Sequence, residues 1–128
     1  MIAKAIYGIL SNDADVISYV STRIYPNVIP ENVDFPAISF YISSSNPDNQ
    51  KVDASSLNTC TVQVKCVHDD YLLNTELADY VRIALDKLKG THYTIEIQTT
   101  FFNGTDDLYD STAQKHMKIL NFNFIYKY

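Results

Sequence analysis

Alternation with a period of two is the strongest pattern along this chain. Cys60, Val62, Val64 and Cys66 interleave with Thr59, Thr61, Gln63 and Lys65, so one face is apolar and the other polar. That is the signature of a half-buried antiparallel strand. Leu120, Phe122, Phe124 and Tyr126 alternate with Asn121 and Asn123 in the same way near the end of the chain. Two further strands are expected. In one, Ile38, Phe40 and Ile42 alternate with Ala37, Ser39, Tyr41 and Ser43; in the other, Tyr93, Ile95 and Ile97 alternate with Thr94, Glu96 and Gln98. Between them the period changes. Leu73, Leu77, Tyr80, Val81, Ala84 and Leu88 form a helical stripe, with Glu76, Asp79, Arg82, Asp86 and Lys87 on the opposite side. Asp69 or Asp70 is placed to cap this helix over 71–89, and Gly90 to end it.

The first residues are also helical in spacing, with Ile2, Ile6, Ile9 and Leu10 on one side and a stop expected near Ser11. Asn12 is expected to cap a second short helix, with Asp13 and Asp15 at its positive end. Pro26 and Pro30 break any further helix. Pro36 pushes Phe35 into extended geometry and so opens the first strand. Residues 43–56 and 103–114 read as polar loops longer than ordinary hairpin connections, with Asn103-Gly104-Thr105 as a turn. The expected fold class is α+β, one domain over 1–128. It has two layers: a mainly antiparallel four-stranded sheet, with one long helix and a short N-terminal helical region packed on one face.

Composition supports a folded chain: 46% of the 128 residues are apolar, and there are only three Gly and four Pro. Ten Tyr stand against no Trp. Tyr has a large apolar body with one polar tip, which suits both strand positions and interfaces. Net charge is −5, and the ten Lys and Arg are scattered without a basic stripe. This argues against a sequence-independent nucleic-acid binder. Cys60 and Cys66 share one expected strand, about 20 Å apart in extended chain, beyond disulfide reach. Buried thiols of this kind suit a reducing cytoplasm. Neither a signal-peptide pattern nor an apolar run of membrane-spanning length is visible.

The search for chemistry is negative. His68, Asp69 and Asp70 are explained by a strand end followed by a helix cap. His92 and His116 have no partner at ligand spacing. Asp106, Asp107 and Asp110 do not match a calcium loop, and no Glu closes the set. Cys60 and Cys66 point into the expected core, where a thiol is inert. Gly8, Gly90 and Gly104 stand too far apart to form a phosphate loop. No catalytic, cofactor-binding or metal-binding residue is therefore expected, and the reading is a non-enzyme.

Two short stretches carry a different signal. After a helix with Val16 and Val20 comes Arg23-Ile24-Tyr25-Pro26, then a loop, then Asp34-Phe35-Pro36-Ala37-Ile38. Asp107-Leu108-Tyr109-Asp110 precedes the last strand. In order and spacing the chain resembles the phage tail-completion, or tail-terminator, proteins, with Ser21-Thr22 standing where that family often has Gly. The resemblance implies a virion structural protein of the tail or neck, assembled in the host bacterial cytoplasm. Such proteins form a ring, commonly a hexamer, that caps the tail tube, halts its polymerisation and docks onto the head connector. The implied partners are further copies of the chain, the tail tube protein and the head connector protein, with no membrane and no direct nucleic-acid specificity; in isolation a monomer is compatible with this.

A closed ring needs unlike patches that meet, and the candidate interface residues are Arg23, Tyr25, Tyr41, Asp48, Lys51, Asp53, Asp106, Asp107, Tyr109 and Asp110, together with the sheet edges and the two long loops. For several of these a purely structural role is equally open. Arg23 can cap helix carbonyls, Tyr25-Pro26 can pack over the sheet edge, and Asp107 and Tyr109 can fix a loop by local hydrogen bonds. The acidic balance would suit basic partner surfaces or a lumen that repels passing DNA. The alternatives are another head–tail adaptor or minor tail protein, or a small α+β ligand-binding domain.

Overall fold

The computed structural model describes residues 2–44 and 57–127. The elements run α1 (Ile2–Ser11), α2 (Ala14–Val20), β1 (Ile24–Pro26), β2 (Ala37–Ser44), β3 (Asn58–His68), α3 (Tyr71–Leu85), β4 (Gly90–His92), β5 (Ile95–Asp110) and β6 (Lys115–Lys127). The architecture is α+β, but the sheet has six strands rather than four, in the order β1-β2-β3-β6-β5-β4. The two additional strands are the three-residue β1 and β4 at the edges, too short to show any period. All neighbours are antiparallel except β1 with β2.

The alternating positions do what their pattern requires. Ile38, Phe40, Cys60, Val62, Val64, Cys66, Leu120, Phe122, Phe124 and Tyr126 are buried on one sheet face, joined by Ile95 and Ile97. Ile2, Ala5, Ile6 and Leu10 of α1, Val16 and Val20 of α2, and Leu77, Ala78, Val81 and Leu85 of α3 close over them. Truncating a fully buried ring such as Phe122 to Ala would cost about 3–5 kcal/mol, because the cavity cannot collapse completely.

Several boundaries differ from the sequence reading. Asp13, not Asn12, caps α2: its Oδ1 accepts from the backbone N–H of Asp15 and Val16 at 3.0 and 3.1 Å. Asn12 instead donates to the Gly8 carbonyl and to the Tyr93 hydroxyl. Asp70 caps α3 through the Leu73 N–H at 3.0 Å. The helix ends at Leu85, before Gly90. Thr100 of β5 intervenes: its hydroxyl donates to the Leu85 carbonyl and accepts the Leu88 N–H, and its carbonyl accepts the Lys87 N–H. Leu73 is half exposed; Asn74 takes the buried place, donating to the carbonyls of Cys66 and His116 and so tying α3 to β3 and β6.

Tyr93 is not a strand residue. With Thr94 it forms a two-residue turn between β4 and β5, φ being 50° and 70°, the sign at both positions that a right-twisting hairpin prefers. The largest difference concerns 103–114. It is not a loop: β5 continues through it to Asp110, and only the four residues before Lys115 turn. Asn103-Gly104-Thr105 is a bulge, seen as a register shift between Phe102 and Thr105, with Gly104 at φ 114° where a side chain would be strained. Polar residues on both faces hid this strand, since its outer half is solvated on each side.

Candidate interaction surface

The opening motif is structural at its core. Ser21 closes α2 and Arg23 then turns the chain toward the sheet. The Arg23 Nε donates to the Pro36 carbonyl at 2.9 Å and Nη2 to the Tyr19 carbonyl at 3.3 Å, while its own carbonyl accepts the Ile38 N–H at 3.0 Å. Arg23 therefore joins the end of α2 to the start of β2, across the cis Phe35–Pro36 bond. Tyr25 lies in β1 opposite Ser39, partly exposed. Tyr41 is on the next strand, 52% exposed, on the face away from the helices.

The second motif sits at the far end of the β5–β6 hairpin, on a strand. Asp107 stands opposite Lys118, carboxylate to ammonium 2.7 Å, and also accepts from the Tyr71 hydroxyl at 3.2 Å. The Lys118 hydrogen bond, more than anything else, holds the Asp107 carboxyl below its ordinary range, assisted by Tyr71. The Tyr109 ring packs tilted against His116, 4.8 Å between centroids, and Tyr71 meets the same imidazole edge-on at 5.5 Å. Asp110 accepts from the N–H groups of Thr112 and Ala113 and so shapes the hairpin tip. Asp106 points to the opposite face, exposed. Asp48, Lys51 and Asp53 lie outside the described residues, as does most of the 43–56 loop.

The structure thus brings Asp107 and Tyr109 together with Tyr71, His116 and Lys118; of these three the sequence reading had weighed only His116, as a metal ligand. Their only visible signal is alternation: with Leu120 inward in β6, Lys118 and His116 share its face. The partnership itself needs the strand register. Arg23 and Tyr25 are on the other side of the sheet from this cluster. Asp69 pairs with Lys115 at 2.6 Å, and Lys115 also lies over the Phe35 ring at 4.9 Å. On the helix-free face, a shallow groove of about 260 Å³ runs between Val28, Ile29, Phe35, Val67 and Met117, with Lys65 at its side. Among the described residues, no three His, Cys, Asp or Glu converge on a common point.

The side chains with chemistry to offer are therefore used to hold strands and helix ends in place, while exposed Tyr41, Leu108 and Tyr109 mark surface. The family model described as tail completion protein gp17 matches residues 4–127. The chain belongs to this family and is a structural protein of the phage tail. No curated protein matches its sequence. Among solved structures it is similar to a chain of the virion of a native gene transfer agent particle, with a TM-score of 0.76 and 16% identity over 97% of this chain and 92% of that one. At that identity the likeness speaks for the fold.

Proposed function

We propose that this protein caps the phage tail tube as a ring, commonly hexameric, stops tube growth and joins the tail to the head. The match of the tail-completion family model across residues 4–127 carries this reading. In it, 1–128 acts as one tail-terminator-like domain at the neck of the particle, assembled in the host bacterial cytoplasm and monomeric until it meets the tube. Its partners are other copies of itself, the tail tube protein and the head connector protein. The β5–β6 hairpin tip, with Asp106, Asp110 and the Asp107–Tyr109 cluster, supplies a contact to tube or connector. Residues 43–56 supply another.

The reading is tested with a nonsense codon in this gene, followed by electron microscopy of the particles produced. Separate heads and tails of uncontrolled length are expected, restored to joined particles by supplying the protein in trans. Joined particles with tails of normal length in its absence would sink the proposal. Loss of joining with an unchanged tail length would favour a connector-side adaptor instead.

A further inference from the structure

Of the three glycines, Gly104 alone follows an asparagine, and Asn103-Gly104 forms the bulge in β5. Asparagine is among the thermally labile residues. The backbone nitrogen of the next residue can attack its carboxamide carbon and close a five-membered imide. Three things ordinarily restrain that step: a side chain on the following residue, a hydrogen bond that ties up the carboxamide, and a backbone locked in regular pairing.

All three restraints are weak at this position. Gly104 carries no Cβ, and nothing lies within 4 Å of the place one would take. Its φ of 114° is a conformation that other residues reach only with strain. Asn103 is exposed, and its carboxamide has no hydrogen-bond partner among the described residues. The register passes from Phe102 opposite Phe122 to Thr105 opposite Leu120, so Asn103 and Gly104 together face the single residue Asn121. Such a bulge disrupts the ladder locally. On its other side β5 is paired with β4 only from Ile95 to Ile97, and the Asp86 carboxylate takes the Phe102 N–H. Past Phe102 no strand lies beside β5 on that side among the described residues.

We propose that Asn103 deamidates spontaneously in the folded protein, through a cyclic imide formed with Gly104. The Gly104 nitrogen gives up its proton and bonds to Asn103 Cγ; the bond from Cγ to the side-chain nitrogen breaks, and ammonia leaves carrying that proton. Water then opens the ring at one of its two carbonyls. Opening at Cγ leaves an ordinary aspartyl residue. Opening at the backbone carbonyl leaves an isoaspartyl link, in which the chain runs through Cγ. No oxidant or cofactor enters either route, and the net charge moves one unit, from −5 to −6. Other asparagines lack the combination. Asn27 and Asn32 are followed by β-branched Val28 and Val33, and Asn121 and Asn123 are followed by Phe and paired opposite Gln63 and Thr61.

The isoaspartyl link adds one methylene to the main chain just before Thr105, whose hydroxyl donates to the Ile119 carbonyl at 3.1 Å. Asp107 opposite Lys118 and Tyr109 opposite His116 are both placed by the register that begins there. The modification therefore loosens the outer half of β5, while the strand before the bulge keeps its pairing. Neither step depends on the ring reading above.

The test is peptide mass spectrometry on the full chain, kept folded at pH 8 and sampled over days. The peptide holding Asn103 is expected to gain one nominal mass unit and to split into two forms, one of them labelled by an isoaspartyl methyltransferase. The rate should fall at pH 6, and at pH 8 should lie within an order of magnitude of the rate in the urea-unfolded chain. Conversion only in urea, or no faster than at Asn27, overturns the proposal. Asn103→Gln closes a six-membered ring far more slowly, so this variant is expected to stay unlabelled with an unchanged urea midpoint. Methyl label accumulating in it at the wild-type rate puts the isoaspartyl link elsewhere and overturns the assignment. In the isoaspartyl fraction, amides 105–110 are expected to exchange hydrogen faster than in fresh protein, with 95–102 unchanged; equal protection over 105–110 overturns the loosening.

Discussion

Arg23 and Pro36, thirteen positions apart, are joined by one hydrogen bond, guanidinium Nε to backbone carbonyl at 2.9 Å. With the second bond to the Tyr19 carbonyl, the planar fork spans the end of α2 and the start of β2. Arg23→Ala is expected to destabilise the fold by about 1–3 kcal/mol, since it leaves partly buried carbonyls without a donor. Arg23→Lys should recover little, because a single ammonium cannot reproduce the fork. Urea midpoints of the two variants check this; a Lys variant as stable as the wild type would show that charge alone matters.

Ser21 sits at φ 54° and ψ −119°, a conformation that essentially only glycine adopts without strain. Ser21→Gly is expected to stabilise the protein by about 1 kcal/mol. Thermal unfolding measures this, and an unchanged or lower Tm would refute it.

Asp107 makes part of the stability depend on acid. Its carboxyl is held below its ordinary range by Lys118, so the folded form binds its proton less readily than the unfolded chain. The contribution is fully present above the unfolded carboxyl pKa of about 3.9 and is lost as pH falls through the lower folded value. Asp107 is largely exposed, so the pair contributes at most about 1 kcal/mol at neutral pH. Asp107→Asn should lie slightly below the wild type at pH 7, with the two stability curves converging below about pH 4. Parallel curves down to pH 2 would contradict the assignment.

Burial raises the thiols of Cys60 and Cys66 to about 11 and about 12. Only a thiolate attacks a disulfide reagent. The native protein is therefore expected to leave Ellman's reagent unreacted at pH 8, and both thiols to titrate at once in denaturant. Rapid reaction of either thiol in the folded state would place it nearer the surface than the structure does.

Tyr19 donates to Glu76 at 2.6 Å and is pushed up to about 12, chiefly by that hydrogen bond. With Tyr80 at 5.8 Å it forms part of the contact between α2 and α3. Nothing in the spacing of these residues announces the contact, because it joins two helices through positions 57 apart.

Local pattern was sufficient wherever one face of an element is buried and the other wet. The Cys60–Cys66 and Leu120–Tyr126 alternations and the stripe through Leu77 and Val81 could all be read directly, since the same hydrophobic effect that writes the pattern also places the element; the cap of α3 was narrowed to Asp69 or Asp70, and the structure selects Asp70. The pattern failed where both faces are solvated or where the element is three residues long. The outer half of β5 looked like a loop because Asp106, Asp107, Leu108 and Tyr109 obey no period, and β1 and β4 are held by their neighbours. Short interrupted motifs marked the family through Arg23 to Pro26 and Asp107 to Asp110, yet they gave no partners for these residues.

By itself, then, the sequence determined which faces of the longer strands and of the long helix meet the core, that the thiols are unbridged, and the family resemblance. Only the tertiary structure decided that Asp107 meets Lys118, that Arg23 meets Pro36, and that β5 runs on past its bulge to Asp110 beside β6. The physical reason is range: alternation and capping are energies between neighbours in the chain, whereas register and edge exposure depend on which distant strands lie side by side.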